Sequence, residues 1–147
     1  HGNGTQDIFY EDDTVFYFSV HQSPCYPGTG ARSETGKGKG LGFTLNCPVA
    51  PGSDGTVFLA AIEDHLGPAM KDFKPELVLV SAGFDARINE PISDCRVRDN
   101  DFGVMTQRVM EIASTSAGGR LVSVLEGGYG LEGLQSACGQ HVKTLSA

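Results

Sequence analysis

Two polar side chains stand where apolar runs of this chain give way to glycine. Asp85 follows Gly83-Phe84 at the end of Leu77-Val78-Leu79-Val80-Ser81-Ala82, and Tyr129 follows Gly127-Gly128 at the end of Val122-Ser123-Val124-Leu125-Glu126. In an open α/β sheet, ligands gather outside the carboxyl ends of the strands. A carboxylate at one strand mouth and a phenol at another therefore suit a metal ligand and a hydrogen-bond donor aimed at one substrate. Each residue also has a plainer reading: Asp85 as the cap of the next turn, Tyr129 as an anchor beside a helix start. Ser19 and His21 close an earlier run, where a surface turn accounts for them equally well. The shared position of these residues at strand ends says more than any one of them.

The elements that must position them are legible as alternating patterns. Strands are expected over Thr14 to Val20, Gly42 to Cys47, Glu76 to Ala82 and Leu121 to Leu125. The last two are continuous apolar runs, the pattern of parallel strands covered on both faces. A Ser53-Asp54 cap signal starts a helix from Asp54 to Met70. Asp101 to Ser116 carries Phe102, Met105, Val109 and Ile112 at helical spacing and ends at Gly118-Gly119; Leu131 to Leu145 closes the chain, and a short helix fits Gly4 to Tyr10. Strand and helix alternate at lengths suited to βαβ crossovers. The predicted fold class is α/β, a parallel sheet with helices on both faces.

Residues 28 to 42 are rich in glycine and read as a loop. A phosphate-binding loop is excluded: Gly30 to Gly36 is one residue too long for the P-loop spacing, and Lys37 is followed by Gly38. The net charge of -7, with no Lys/Arg stripe, argues against direct nucleic-acid binding. The acidic balance would attract a cationic protein substrate, although it serves solubility more often. No apolar stretch reaches the roughly 18 residues of a membrane span. Cys25, Cys47, Cys95 and Cys138 lie far apart without a CxxC pair, and are read as reduced thiols rather than disulfides or a zinc knot. The chain of 147 residues opens on His1-Gly2-Asn3-Gly4 and is read as a fragment of a longer protein.

Several of these segments together resemble the C-terminal part of the histone deacetylase superfamily, its class II and bacterial amidohydrolase-like members above all. His1-Gly2-Asn3-Gly4-Thr5-Gln6 resembles the end of an Asp-x-His-His-Gly-Asn-Gly-Thr motif. Tyr17-Phe18-Ser19-Val20-His21, Tyr26-Pro27-Gly28-Thr29-Gly30 and Asn46-Cys47-Pro48 follow in order. Ser81-Ala82-Gly83-Phe84-Asp85-Ala86, Phe102 to Thr106 and Leu125-Glu126-Gly127-Gly128-Tyr129 complete the series.

The resemblance implies an arginase/deacetylase-like fold, of which residues 1–147 form the C-terminal half of one catalytic domain. It implies a zinc-dependent deacetylase acting on acetyl-lysine in proteins, within corepressor-type complexes, in the nucleus or cytoplasm or in an organelle. Asp85 matches a carboxylate ligand of zinc, in a site that keeps positions open for water and substrate. Bound there, zinc would polarise the amide and bring its water toward a pKa of about 7. Tyr129 matches the phenol that stabilises the developing oxyanion, a role worth about 10²–10³ in rate by analogy with other oxyanion donors. Tyr26 matches a wall of the lysine tunnel, and Gly83, Phe84, Ile92, Gly127 and Gly128 match the substrate pocket. Oxygens of Ser19 and Val20 match contacts of a structural potassium ion, and carbonyls near Phe9, Asp12, Val15 and Phe43 match a second.

The departures carry equal weight. His1 stands one residue after the family's zinc-binding histidine, so Asp85 is the one zinc ligand of the family's set within the chain, and the family's His-His base pair is absent from it. Residues 1–147 alone are therefore expected to be inactive. Cys25 replaces a common aromatic residue, and Glu90-Pro91-Ile92-Ser93 replaces the usual Asp-Pro-Leu-Gly. Polyamine-selective members carry Glu near the position of Ile92. Two alternatives stay open: an amidohydrolase for acetylated polyamines or small amides, and a non-catalytic truncated form that serves as a binding module.

Overall fold

The computed structural model describes all residues, 1–147. They form two compact units, residues 1–51 and 52–147, each built around its own pair of parallel strands.

In the first unit a short helix α1 (Asn3–Phe9) precedes strand β1 (Tyr17–Gln22), which pairs in parallel with β2 (Thr44–Val49). The register runs from Tyr17 opposite Thr44 to Gln22 opposite Val49. The strand expected from Thr14 begins three residues late. Asp12 Oδ1 accepts both the Thr14 backbone N–H (2.8 Å) and the Thr14 hydroxyl (2.6 Å), a local turn that competes with the extended ladder. The strand also runs on to Gln22, so Ser19 and His21 lie inside it rather than at its end. The connection between the strands is the glycine-rich loop, with a single tight helical turn at Gly38–Gly40. Glu34 holds that loop: its carboxylate accepts the N–H groups of Gly30 (3.0 Å) and Ala31 (3.1 Å) and the amide of Gln6 (2.6 Å).

In the second unit Asp54 caps helix α2 (Gly55–Ala61) by accepting the Thr56 N–H at 3.0 Å. The single helix expected to Met70 is interrupted. Residues Ile62–Leu66 form a wider π-helical turn, after which α3 (Gly67–Phe73) resumes. Pro68 supplies the reason, since its ring removes one backbone donor and crowds the preceding turn. Strand β3 (Val78–Ala82), helix α4 (Asp99–Ser116) and strand β4 (Leu121–Leu125) then make a βαβ unit, closed by helix α5 (Leu131–Leu145). Helix α4 starts two residues ahead of expectation because the Arg98 N–H is taken by the Asp101 carboxylate at 2.8 Å.

The core of this unit gathers Phe58, Ile62, Met70, Ala82, Phe84, Val97, Phe102, Ala113 and Ala137. Val78, Val80 and Ala82 of β3 alternate toward it, as strand geometry requires. The opposite face is open. Leu79 is 71% and Val124 56% exposed, with Leu77, Val122 and Leu125 also open. The apolar runs were read as strands covered on both faces, and residues 1–147 cover this face only in part.

Candidate active site

The two strand mouths singled out in the sequence are neighbours. Ala82 at the end of β3 stands opposite Leu125 at the end of β4. Two backbone bonds extend the pairing past the strands: Glu126 N–H to the Ala82 carbonyl (3.1 Å) and Phe84 N–H to the Gly127 carbonyl (2.9 Å). This lacing sets Gly127 against the Asp85 side chain. A Cβ at Gly127 would lie 2.6 Å from Asp85 Oδ2, and one at Gly83 would lie 3.2 Å from Oδ1. The carboxylate therefore rests in a cradle of two glycines that larger residues would fill. Burial pushes the Asp85 carboxyl above its ordinary value, and its own backbone N–H draws it partway back.

Phe84 corrects one expectation. It was read as part of the substrate pocket, but its side chain is only 2% exposed and packs on Phe102 at 5.2 Å and His141 at 5.8 Å between ring centroids. It anchors the turn from below, so that Asp85 is presented above it. Gly128 sits over this anchor with φ 128°, and a Cβ there would meet Phe84 Cβ at 3.3 Å and Leu134 Cδ1 at 2.8 Å.

Beneath the site runs a polar relay that sequence reading missed. The Thr106 hydroxyl donates to the Phe102 carbonyl (2.6 Å), leaving its oxygen to accept from His141 Nδ1 (2.6 Å). His141 Nε2 is then the acceptor for the Ser123 hydroxyl at 2.8 Å. The chain of bonds fixes a neutral imidazole with its proton on Nδ1, and burial lowers its pKa in agreement. One buried histidine thereby ties β4, α4 and α5 together.

Tyr129 is 58% exposed and lies between Gly128 and Gly130, just ahead of α5. Its side chain faces solvent while its backbone is held. Glu90 Oε2 accepts the Tyr129 N–H and Glu90 Oε1 the Gly130 N–H, both at 3.0 Å. Glu90 is 8% exposed, and sequence reading noted it only as a departure from a motif. Its partners lie about forty residues on, so no local pattern could have revealed them. Arg87, in the same turn, is occupied elsewhere: its guanidinium pairs with Asp99 through Nε–Oδ1 and Nη2–Oδ2.

The predicted site residues thus divide. Gly83, Asp85, Gly127, Gly128 and Tyr129 converge at the β3–β4 mouth, whereas Ile92 lies on the following loop, 53% exposed. Ser19, Val20 and Tyr26 belong to the first unit. There Ser19 Oγ bonds His21 Nδ1 at 2.9 Å, and Tyr26 is 91% exposed. As for the implied zinc, an open site takes three protein ligands. No group of three or more His, Cys, Asp or Glu side chains in this chain could hold a metal. The glycine cradle fits Asp85 to serve as one ligand among others, and the chain by itself does not complete the set.

Residues 1–145 match the histone deacetylase domain. The chain is 43% identical over 133 residues to a probable deacetylase of Archaeoglobus fulgidus, covering 90% of this chain and 37% of that one. The crystal structure of the HDA15 HD domain superposes with a TM-score of 0.92 at 35% identity, over 99% of this chain and 41% of that one. An acetylpolyamine aminohydrolase from Burkholderia pseudomallei gives 0.88 at 33% identity, over 100% of this chain and 42% of that one. The chain therefore spans less than half the length of these relatives.

Proposed function

The chain belongs to the histone deacetylase family, and from that premise we propose that it is the C-terminal part of one catalytic domain that hydrolyses acetyl-lysine amides in proteins. The observation that carries this reading is the β3–β4 mouth, where Asp85 lies in its glycine cradle and an exposed Tyr129 follows two residues after the cradling Gly127. Asp85 would hold zinc there as one ligand of a set that this chain does not complete. When bound, zinc supplies polarisation of the amide carbonyl and a more acidic water.

The chain's own residues do the rest. Gly127 and Gly128 leave the backbone bare, so that an acyl group can approach the carboxylate and the phenol at once. Tyr129 donates a hydrogen bond to the oxygen that gains charge as the amide carbon becomes tetrahedral. Phe84 and the His141 relay hold the turn beneath, which keeps that donor preorganised. Ile92 offers an apolar contact to the lysine stem. Ser19 and Val20 would supply oxygens to a structural potassium ion. The protein works in the nucleus, the cytoplasm or an organelle, on acetylated protein substrates and within corepressor-type assemblies.

A second reading, hydrolysis of acetylated polyamines, is favoured by the similarity to an acetylpolyamine aminohydrolase. Against it stands Ile92, an uncharged residue where a polycation would be served by a carboxylate.

The test uses the whole protein, an acetyl-lysine peptide and an acetylated polyamine. Tyr129→Phe is expected to cut turnover by about 10²-fold with zinc content unchanged, and Asp85→Ala to lose both. Release of zinc by Tyr129→Phe would overturn the assignment of roles. Faster turnover of the polyamine than of the peptide would replace the first reading with the second. Residues 1–147 alone are expected to show no turnover with added zinc.

A further inference from the structure

Glu90 presents an unusual combination. It is a carboxylate with 8% of its surface exposed; Arg87 attracts it electrostatically but makes its hydrogen bonds to Asp99 and to the Ile88 carbonyl. Its hydrogen bonds come from the pair of backbone N–H groups at Tyr129 and Gly130, each 3.0 Å from a different carboxylate oxygen. These donors open helix α5, whose N-cap Gly130 has no side-chain cap of its own. Helix N-termini favour negative charge, so the carboxylate is held firmly. The segment it grips would otherwise be loose. Glycine flanks Tyr129 at 127, 128 and 130, and glycine leaves the backbone its widest conformational freedom. Gly130 also gives the carboxylate room, since a Cβ there would stand 3.2 Å from Glu90 Oε1.

We infer that Glu90 is a positioning residue: its two-pronged grip on the Tyr129 and Gly130 amides fixes where the Tyr129 phenol points, and so how well it meets the reacting carbonyl. This rests on the reading of Tyr129 as the phenol that faces substrate. A phenol displaced by about 1 Å loses much of its value, since misplacement of that size costs on the order of 10²-fold in rate. Glu90 touches neither substrate nor metal in this role. A plainer role, capping α5 for stability alone, predicts different behaviour and is separated by the following experiment.

In the whole protein Glu90→Gln keeps the shape but sets an amide NH2 against one of the two backbone donors. The expected result is a fall in kcat of about 10- to 100-fold with KM and zinc content unchanged. Amide exchange at Tyr129 and Gly130 should quicken at the same time. In a Tyr129→Phe background the same substitution should change kcat by less than about threefold, because the group through which Glu90 acts has gone. Glu90→Asp retains both acceptor oxygens on a shorter arm and should recover part of the rate, which keeps the question open to measurement if Glu90→Gln folds poorly. The inference is overturned if Glu90→Gln lowers the melting temperature but not kcat. It is equally overturned if the loss persists undiminished beside Tyr129→Phe. Full activity of Tyr129→Phe alone would remove the phenol reading together with this one, whereas a damaged Tyr129→Phe beside an unharmed Glu90→Gln removes this inference only.

Discussion

The carboxylate of Asp85 lies against the bare α-carbon of Gly127, so close that a Cβ would come within 2.6 Å of Oδ2. The backbone bond from Phe84 N–H to the Gly127 carbonyl, 2.9 Å long, leaves neither strand end free to retreat. Gly127→Ala should therefore move the carboxylate rather than the backbone. In the whole protein it is expected to lose most of its bound zinc and about 10²-fold in turnover. Metal analysis of the purified variant beside a thermal melt checks this. Full zinc occupancy with normal activity would show that the cradle is loose.

The strand mouths were legible because a short, fully apolar run that breaks at glycine is what a strand paired in a parallel sheet looks like. Asp85 and Tyr129 stand where those runs led, at neighbouring strand ends. What escaped the sequence has physical causes. Asp12 and Thr14 make a turn with their own side chains, which delays β1 to Tyr17. Pro68 forces a wider turn into a helix whose periodicity looks continuous. Phe84 sits beside the site in sequence but points into the core, a direction set by the turn after β3 and not by its chemistry. Glu90 acts on backbone amides, which carry no residue code at all. The open face of β3 and β4 is invisible to periodicity, since an apolar run reads the same whether or not something covers it.

The buried relay gives the fold a dependence on pH. His141 is neutral in the folded state, with its proton on Nδ1 facing Thr106 and its Nε2 accepting from Ser123. Burial depresses its pKa below the ordinary 6.5. Above 6.5 both folded and unfolded chains are neutral at this residue and stability is full. As pH falls from 6.5 toward the lower folded value, the unfolded chain binds a proton the folded one refuses, and stability drops. His21, also lowered by burial, acts in the same direction in the first unit. Asp99 is lowered from 3.8 by the Arg87 hydrogen bonds and loses its contribution only in a more acidic range. The whole protein should therefore melt progressively lower between about pH 7 and 5, and His141→Gln should flatten part of that slope. An unchanged slope in the variant would dissociate the relay from the effect.

Ion pairs of this chain should differ sharply in value. Arg87 and Asp99 are 20% and 27% exposed at their side chains, meet through paired contacts, and Asp99 also accepts the Ser136 hydroxyl at 2.6 Å. Asp99→Ala leaves the largely buried Arg87 guanidinium with the Ile88 carbonyl as its remaining hydrogen-bond partner, at an expected cost of about 1–3 kcal/mol. Lys37 and Glu11 form a pair whose side chains are 72% and 64% exposed. Lys37→Ala should leave the melt essentially unchanged, because solvent screens so exposed a pair. Denaturant melts of the two variants, measured side by side, decide it. Equal effects would mean that the Arg87 pair is as well screened as the surface one.

The exposed face of β3 and β4 supplies the last prediction. Leu79 stands opposite Val122 and Ser81 opposite Val124, so Leu77, Leu79, Val122 and Val124 form one apolar patch on strands with unpaired edges. Such a surface is a template for association with other chains. Residues 1–147 expressed alone should therefore self-associate or aggregate in a concentration-dependent way. Replacing Leu79 and Val124 together by Lys should shift the chain toward monomer, because charge on a strand face opposes pairing. In the whole protein, where we propose that the remainder of the domain covers this face, the same double substitution should instead destabilise by more than about 2 kcal/mol by burying charge. Light scattering on the short chain and thermal melts of the longer one measure the two effects. A monomeric short chain with a sharp melting transition would show that residues 1–147 stand on their own. Indifference of the whole protein to Lys at 79 and 124 would show that the face stays open there as well.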